Sequence, residues 1–495
     1  MSSPSPIMTQ SFKNIPIKVV PAAPAPDPAV PASEEVELVK LYAAAKKVYP
    51  RWINGRFTQW RWFWVVATQL FFYGVPWLQW NERQMMLFDL VERKFYVFGL
   101  VFLPQDFIYL TALLLMSALG LFVWTSIGGR LWCGYSCPQT VYTEIFLWIE
   151  KLVEGDRNAR IKLDAAPLSP RKFRLKLTKH ALWIALALWT GFTFVGYFTP
   201  IRELADKLPS LSYGPWETFW ILFYGFATYG NAGWMREQVC KYMCPYARFQ
   251  SVMFDPDTLL ISYDAERGDP RGSRRKDADY KSEGLGDCID CKVCVQVCPV
   301  GIDIRDGLQY ECIACGACID ACDSIMDKMN YPRGLIRYTT ENALAHKYPD
   351  SQIVNHIVRP RVVMYSAALL IVTAGVVFSL LTKSPIVVNV TRDRNTLTRE
   401  TDEGLYENSY RIQIQNTDEL PHRFAIRADG LPDLRVITDH GEVISVPANG
   451  TAVVGVRVQA EPQHVSRGSK KIYFEVQSAD DLTLKVKEKA SFIGR

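Results

Sequence analysis

The sequence predicts a mixed fold class: an α-helical membrane domain, a small α+β metal-binding domain inserted into it, and an all-β sandwich at the C-terminus. Three observations carry that prediction. Long apolar runs alternate with charged loops in a chain that is 49% hydrophobic and 22% charged. Eight of the 12 cysteines crowd between Cys288 and Cys322. Beyond residue 383 the long apolar runs give way to short alternating stretches punctuated by turn residues.

A chain of 495 residues has room for two or three domains. Residues 1–48 begin with a stretch rich in Pro, Ala and Ser and are expected to form a disordered cytoplasmic tail. No cleavable signal peptide is visible. A spanning helix needs about 20 mainly apolar residues. Five segments qualify. Residues 49–235 form a membrane domain with spans at about 60–80, 107–127, 181–199 and 216–234, and the fifth span is 362–382. The first carries Trp at both ends, as side chains at a bilayer interface do.

Lys and Arg set the orientation. The loop between the second and third spans holds ten: Arg130, Lys151, Arg157, Arg160, Lys162, Arg171, Lys172, Arg174, Lys176 and Lys179. The loop after the third span has only Arg202 and Lys207. The N-terminus and the long loop 236–361 are therefore expected on the cytoplasmic side of a bacterial inner membrane, with the C-terminus in the periplasm. The basic run from Arg271 to Lys276 suits a solvated loop better than a nucleic-acid contact.

Within that loop, Cys288, Cys291, Cys294 and Cys298 precede Pro299, which is the C-x2-C-x2-C-x3-C-P run of bacterial ferredoxins. Cys312, Cys315, Cys318 and Cys322 repeat the spacing, with Asp323 in place of Pro. In this pattern three close thiolates wrap one cluster and the fourth reaches the other. One [4Fe–4S] cluster is thus expected on Cys288, Cys291, Cys294 and Cys322, the other on Cys312, Cys315, Cys318 and Cys298. Structural zinc prefers two CxxC pairs with a longer gap, so two repeated runs of four argue against it. Clustered thiols also argue against a secreted disulfide scaffold.

The other four cysteines lie in two CxxxCP motifs, Cys133–Cys137 and Cys240–Cys244, each after a span running toward the cytoplasm. Cysteines at i and i+4 share a helix face. Thiolates select Cu(I), zinc or iron–sulfur chemistry, which leaves three readings: a copper site, a further redox centre, or a dithiol cycling to disulfide. Met243 and Met253 are nearby soft side chains that more often pack than ligate. His180 and His356 sit near span ends, where a polar cap is the commoner role. No P-loop, GxGxxG or paired carboxylates of an acid–base site are present.

From residue 383 to 495, Tyr410–Gln415, His422–Arg427, Glu442–Val446, Ala452–Gln459, Lys471–Gln477 and Leu482–Val486 read as strands between turns such as Asp429-Gly430. Their spacing suggests an immunoglobulin-like sandwich built without a disulfide.

The stretches Gly129–Val141, containing RLWCGYSCPQT, and Asn231–Asp255, containing REQVCKYMCPYARFQ, are similar to the two signatures of the FixG/RdxA/CcoG family. The eight-cysteine module and the trailing β domain extend the resemblance from about residue 49 to the end. It implies an inner-membrane protein needed to assemble cbb3-type cytochrome c oxidase, regarded as a cupric reductase. It also implies the two cluster ligand sets above, and a role for Cys133, Cys137, Cys240 and Cys244 with copper. The expected partners are copper ions, the oxidase assembly machinery, membrane lipids and an electron donor that is either a cytoplasmic protein or a quinol. Two rival functions stay open: an assembly scaffold docking through its β domain, and a quinone-linked electron-transfer subunit. Some related membrane ferredoxins carry a covalent flavin outside the membrane; no flavin attachment motif is evident here.

Overall fold

A computed structural model describes residues 47–495, apart from 82, 277, 278, 394–397, 440, 442, 466, 482 and 495. Apart from its last two residues, the expected disordered tail lies outside the described residues. Helix α1 is Arg56–Gly74. It stops short of the expected Trp80 because Pro76, which has no N–H to give, turns the chain through Val75–Trp77. The connection to the next helix is not a plain loop. Strands β1 (Gln79–Trp80) and β2 (Arg83–Gln84) pair, and β3 (Met86–Asp89), β4 (Lys94–Val97) and β5 (Leu100–Phe102) form a three-stranded meander. Then come α2 (Phe107–Gly128), α3 (Leu131–Tyr135), α4 (Pro138–Glu154), α5 (Arg157–Ala165), α6 (Pro170–Val195), α7 (Ile201–Asp206) and α8 (Pro215–Thr228). Helix α6 begins well before the expected span, so the basic residues from Arg171 to Lys179 are helical. Helix α8 widens into π-helical turns at Tyr229–Met235, where Gly230 and Gly233 relax the winding.

Helices thus occupy most of each of the five segments expected to cross a bilayer. Among the described residues, two helical segments, Pro104–Gly128 and Pro360–Leu381, are long and apolar enough to do so by length and composition. Small residues set close helix contacts: a Cβ on Gly191 of α6 would collide with the Ile221 carbonyl of α8.

The cysteine-rich part follows. Helix α9 (Pro245–Met253) leads to β6 (Leu260–Tyr263) and α10 (Ala265–Gly268). Next come α11 (Val293–Val297), α12 (Ala317–Met329), β7 (Ile336–Thr339) and α13 (Glu341–Leu344), with β7 antiparallel to β6. Helix α14 (Pro360–Leu381) then packs along α2, where Tyr109 and Ser379 hydroxyls meet at 2.8 Å.

The C-terminal sandwich is built from β8 (Ile386–Arg392), β9 (Arg399–Glu400), β10 (Tyr406–Asn416), β11 (His422–Asp429), β12 (Arg435–Thr438), β13 (Val443–Val446), β14 (Thr451–Ala460), β15 (Gly468–Ser478) and β16 (Lys485–Gly494). One sheet runs β12-β14-β10-β8 with β9 beside β10, the other β13-β11-β15-β16, all antiparallel. Alternation puts Tyr410, Ile412 and Ile414 inside, in register with Val456, Val454 and Ala452. Phe424, Phe474 and Phe492 close the core from the other sheet. The sequence reading missed β8, β9 and β12 and placed the last strand too early.

The cysteine-rich part and the sandwich sit at opposite ends of the α2–α14 pair. At one end Lys383 bonds Asp106 at 2.6 Å, while Trp80 and Arg83 meet Glu419 of the sandwich at 3.0 and 3.4 Å. At the other, the Leu259 amide donates to the Ile127 carbonyl at 3.0 Å and Arg359 pairs with Asp255 at 3.0 Å.

Candidate metal and thiol centre

Both cysteine runs use one backbone device. Asp290 and Lys292 in the first run, and Ala314 and Gly316 in the second, take positive φ values of 50°, 56°, 53° and 76°. They stand two and four residues after Cys288 and Cys312 respectively. This repeated left-handed kink is sterically uncommon outside Gly and winds each loop tightly. Helix α11 carries Cys294 and α12 carries Cys318 and Cys322, one turn apart.

The thiols fall into two neighbourhoods. Burial pushes the Cys322 thiol up, and Cys294, Cys288 and Cys291 add to it. Burial likewise pushes Cys312 up to about 12, with Cys315 and Cys298 adding. Cys298 is raised by burial and by Cys315, against the amides of Ile302, Val300 and Gly301. Cys318 is raised by burial, then by Cys312, Cys315, Cys298 and Cys294, so the two neighbourhoods adjoin. A cavity lined by Cys294, Cys298, Cys312, Cys315 and Cys318 lies between them. All 12 cysteines are free. A buried thiolate is costly without a compensating cation. Eight free thiols, seven of them wholly or partly buried, therefore fit iron–sulfur clusters, whose iron supplies that charge. Among the described residues, no three of His, Cys, Asp or Glu are arranged around a single ion. That holds for the ferredoxin cysteines as much as for the CxxxCP motifs.

The two CxxxCP motifs have matching ends. Cys137 caps α4 with Pro138 in its first turn, and Cys244 caps α9 with Pro245 there. Proline suits that position because its missing N–H would have no helical partner anyway. Cys133 lies on α3, whereas Cys240 lies in a π-helical turn, Val239–Met243. Cys137 and Cys240 act on each other and on both remaining thiols. Burial pushes Cys133 up to about 12, with Cys137 and Cys240 adding and Gln250 and Arg130 opposing. Burial pushes Cys240 up to about 11, with Cys137 and Cys244 adding and Arg130 opposing. Cys137 is raised by burial against the Gln139 and Thr140 amides at the start of α4, and Cys244 adds to it.

Two polar side chains around these thiols escaped the sequence reading. Arg130, 4% exposed, donates to the Ala247 carbonyl at 2.5 Å, and its Nε has no partner. Gln250, fully buried, accepts from Cys133 Sγ at 3.4 Å, and its Nε2 has no partner. Two buried donors left over beside four thiols suit an anionic thiolate–metal assembly. The sequence reading counted Arg130 only as a loop cation. His180 and His356 stand apart from the cysteines: His180 Nδ1 meets the Tyr229 hydroxyl at 3.0 Å, and His356 stacks on Tyr348. Met243 is exposed.

The first motif and the second ferredoxin loop are in direct contact. A Cβ on Gly134, between Cys133 and Cys137, would lie 2.6 Å from the Ile313 carbonyl oxygen and 2.9 Å from that of Ala314. Only glycine lets the first motif sit on the loop between Cys312 and Cys315. Tyr338 donates to the Ala314 carbonyl at 2.7 Å, and Cys133 packs in the same apolar cluster as Cys298 and Cys315. Asp320 of α12 caps α1: its carboxylate accepts from the Phe57 and Thr58 amides at 3.1 and 2.8 Å and from the Thr58 hydroxyl at 2.8 Å.

Comparison with known proteins agrees with this architecture. The nitrogen fixation protein FixG of Rhizobium meliloti is 39% identical over 423 residues, covering 79% of this chain and 81% of that one. The chain belongs to the FixG/RdxA family. Protein RdxA of Cereibacter sphaeroides is 38% identical over 436 residues, covering 85% and 90% of the two chains. The ferredoxin-type protein NapH of Escherichia coli is 22% identical over 261 residues, half of this chain. The 4Fe-4S dicluster domain matches residues 235–341, and the IG-like fold at the C-terminus of FixG matches 376–495. A further 4Fe-4S binding domain matches 110–155, which includes Cys133 and Cys137. A crystal structure of a FixG-related protein from Vibrio parahaemolyticus aligns with TM-score 0.21 at 20% identity, covering 23% of this chain and 99% of that one. The FixG/RdxA chain is an iron–sulfur electron-transfer protein with two [4Fe–4S] clusters.

Proposed function

We propose that this FixG/RdxA protein reduces Cu(II) to Cu(I) at the CxxxCP cysteines, for assembly of a cbb3-type cytochrome c oxidase. The observation that carries the reading is the seating of Gly134 on the Ile313–Ala314 backbone, which joins the four CxxxCP thiols to the second ferredoxin loop. Cys288, Cys291, Cys294 and Cys322 would hold one cluster, and Cys298, Cys312, Cys315 and Cys318 the other. When bound, each cluster supplies a one-electron carrier. Copper is the substrate: each Cu(II) takes one electron, with the reduced ferredoxin domain as reductant. Cys133, Cys137, Cys240 and Cys244 supply soft sulfur, which favours Cu(I) over Cu(II) and pulls the reaction forward. Arg130 and Gln250 would donate to the thiolates from inside.

The same reading sets the topology. α1, α2, α6, α8 with its π-helical extension, and α14 are taken to span an inner membrane. The ferredoxin part then faces the cytoplasm and the sandwich the periplasm. Basic residues cluster at the ferredoxin end, as a cytoplasmic face requires. The test is Cu(II) reduction by purified protein after chemical reduction of its clusters. Ser at all four CxxxCP positions should abolish the Cu(I) signal, and an unchanged rate would refute the site.

A further inference from the structure

An apolar cavity of about 630 Å³ opens beside the second ferredoxin loop, between α1, α2 and α3. That volume lies within the range of small-molecule sites, roughly 300–1,000 Å³. Trp60 and Trp64 of α1, Trp124 of α2 and Trp132 of α3 line it, each 40% or more exposed at the molecular surface. Helix α2 is one of the two helices apolar enough to cross a bilayer, and Gly120, Leu121 and Trp124 in its C-terminal half line the cavity. On the topology proposed above, the mouth faces the lipid and an occupant would arrive through it.

Polar groups gather at the inner end, where the Tyr135 and Tyr338 hydroxyls lie 3.4 Å apart. Tyr338 has one proton and gives it to the Ala314 carbonyl at 2.7 Å. Tyr135 must then be the donor across the longer gap, a poor hydrogen bond. Its proton is free to turn toward a better acceptor in the cavity. A flat ring lying among indoles, with an oxygen facing one phenol, satisfies both the walls and the inner end. An acyl chain satisfies only the walls. The cavity also adjoins the redox loop: Phe57, which lines it, packs on Gly316, where a Cβ would lie 2.6 Å from Phe57 Cβ.

We propose that this cavity binds a membrane quinone or its quinol, with Tyr135 donating to a ring oxygen. This rests on the function proposed above and names the class of its electron donor. Oxidation of a quinol to the quinone releases two electrons and two protons. The electrons match the two one-electron carriers of the ferredoxin domain, and the protons pass to water.

The test is a titration of the full-length protein in nanodiscs with decylubiquinone, read by quenching of tryptophan fluorescence, with no copper present. Saturable quenching is expected. Tyr135→Phe keeps the ring and should raise the Kd roughly fivefold, the effect of one lost hydrogen bond. Leu121→Trp, which fills the cavity, should abolish saturation while the cluster EPR signals stay unchanged. Non-saturable quenching, an unchanged Kd in Tyr135→Phe, or equal displacement by dodecanol would overturn the proposal. Because copper is absent, failure here leaves the copper reading standing, and failure of the copper reading leaves quinone binding intact.

Discussion

Replacing Asp320 by Ala should unlock the ferredoxin part from α1. Asp320 is 7% exposed and stands on α12 between Cys318 and Cys322. Its carboxylate accepts two backbone N–H groups of the first turn of α1, which have no helical partners of their own, and one hydroxyl. Loss of a helix cap costs about 1–2 kcal/mol. Hydrogen bonds to a charged acceptor are worth about 1.5–3 kcal/mol each, and bonds sharing one carboxylate do not add fully. A cost of ~2–3 kcal/mol follows, or roughly 30- to 150-fold in an opening equilibrium. Hydrogen exchange followed by mass spectrometry on peptides covering Phe57 and Thr58 reads that equilibrium directly. Peptides from the middle of α2 serve as control. Asp320→Asn, which retains one acceptor oxygen, should lose about half as much in free energy. If Asp320→Ala leaves protection of the α1 start within about threefold of the parent, the cap is not what joins the two parts.

Four further outcomes follow from the site. Gly134→Ala forces a Cβ against two carbonyl oxygens, at 2.6 and 2.9 Å. It should cost ~1–3 kcal/mol by overpacking and slow Cu(II) reduction, with both cluster EPR signals intact. Cys322→Ser should perturb the EPR signal of the cluster on the first run, and Cys298→Ser that of the second, since each thiol lies among the other run's cysteines. Arg130→Gln removes a buried cation near Cys312, Cys133 and Cys240. An EPR redox titration should show one midpoint potential lowered and the other unmoved. Burial alone would raise Asp264, but hydrogen bonds from Arg337 and the Arg267 amide, with both guanidinium charges, hold it below the usual carboxylate range. Its contribution is complete above the unfolded value of about 3.9 and is lost as pH falls through the lower folded value. Thermal melting should therefore show a decline below about pH 4 that shrinks in Asp264→Asn.

The cysteine runs were legible because a cluster imposes its spacing locally: thiolates that share it must return every three or four residues along one loop. The sandwich was legible where strands alternate strictly, as Tyr410–Gln415 does, and illegible where they are short or follow a helix, as Arg435–Thr438 and Ile386–Arg392 are. Strands of two to four residues leave no period to detect, so 79–80 are expected to end the first span and 81–102 to form a plain loop. Asp320, Gln250 and Arg130 share a different reason. Each acts on a partner far away in sequence: Asp320 caps an amide 263 positions earlier, and Arg130 bonds a carbonyl 117 positions later. Nothing within one window distinguishes them from surface polar residues. Gly134 stands in the same class, because its need for glycine arises from the Ile313–Ala314 backbone and not from its own φ.

The two cysteine runs repeat one backbone but do not lie in one field. Beside the first, Arg305 acts on Cys294, yet its charge is held by Asp290 and Asp303, each at 2.6 Å. Beside the second, Arg130 acts on Cys312 and, among the described residues, pairs with no carboxylate. A buried positive charge without a counterion stabilises the more negative, reduced form of whatever the neighbouring thiolates hold. The centre proposed on Cys298, Cys312, Cys315 and Cys318 should therefore have the higher potential of the two. It is also the run that carries Gly134 on its backbone and so touches the CxxxCP motif. The thermodynamic slope and the geometric contact thus point the same way, toward the four thiols proposed to meet copper. A redox titration in which Arg130→Gln lowers the lower potential instead of the higher would break that alignment.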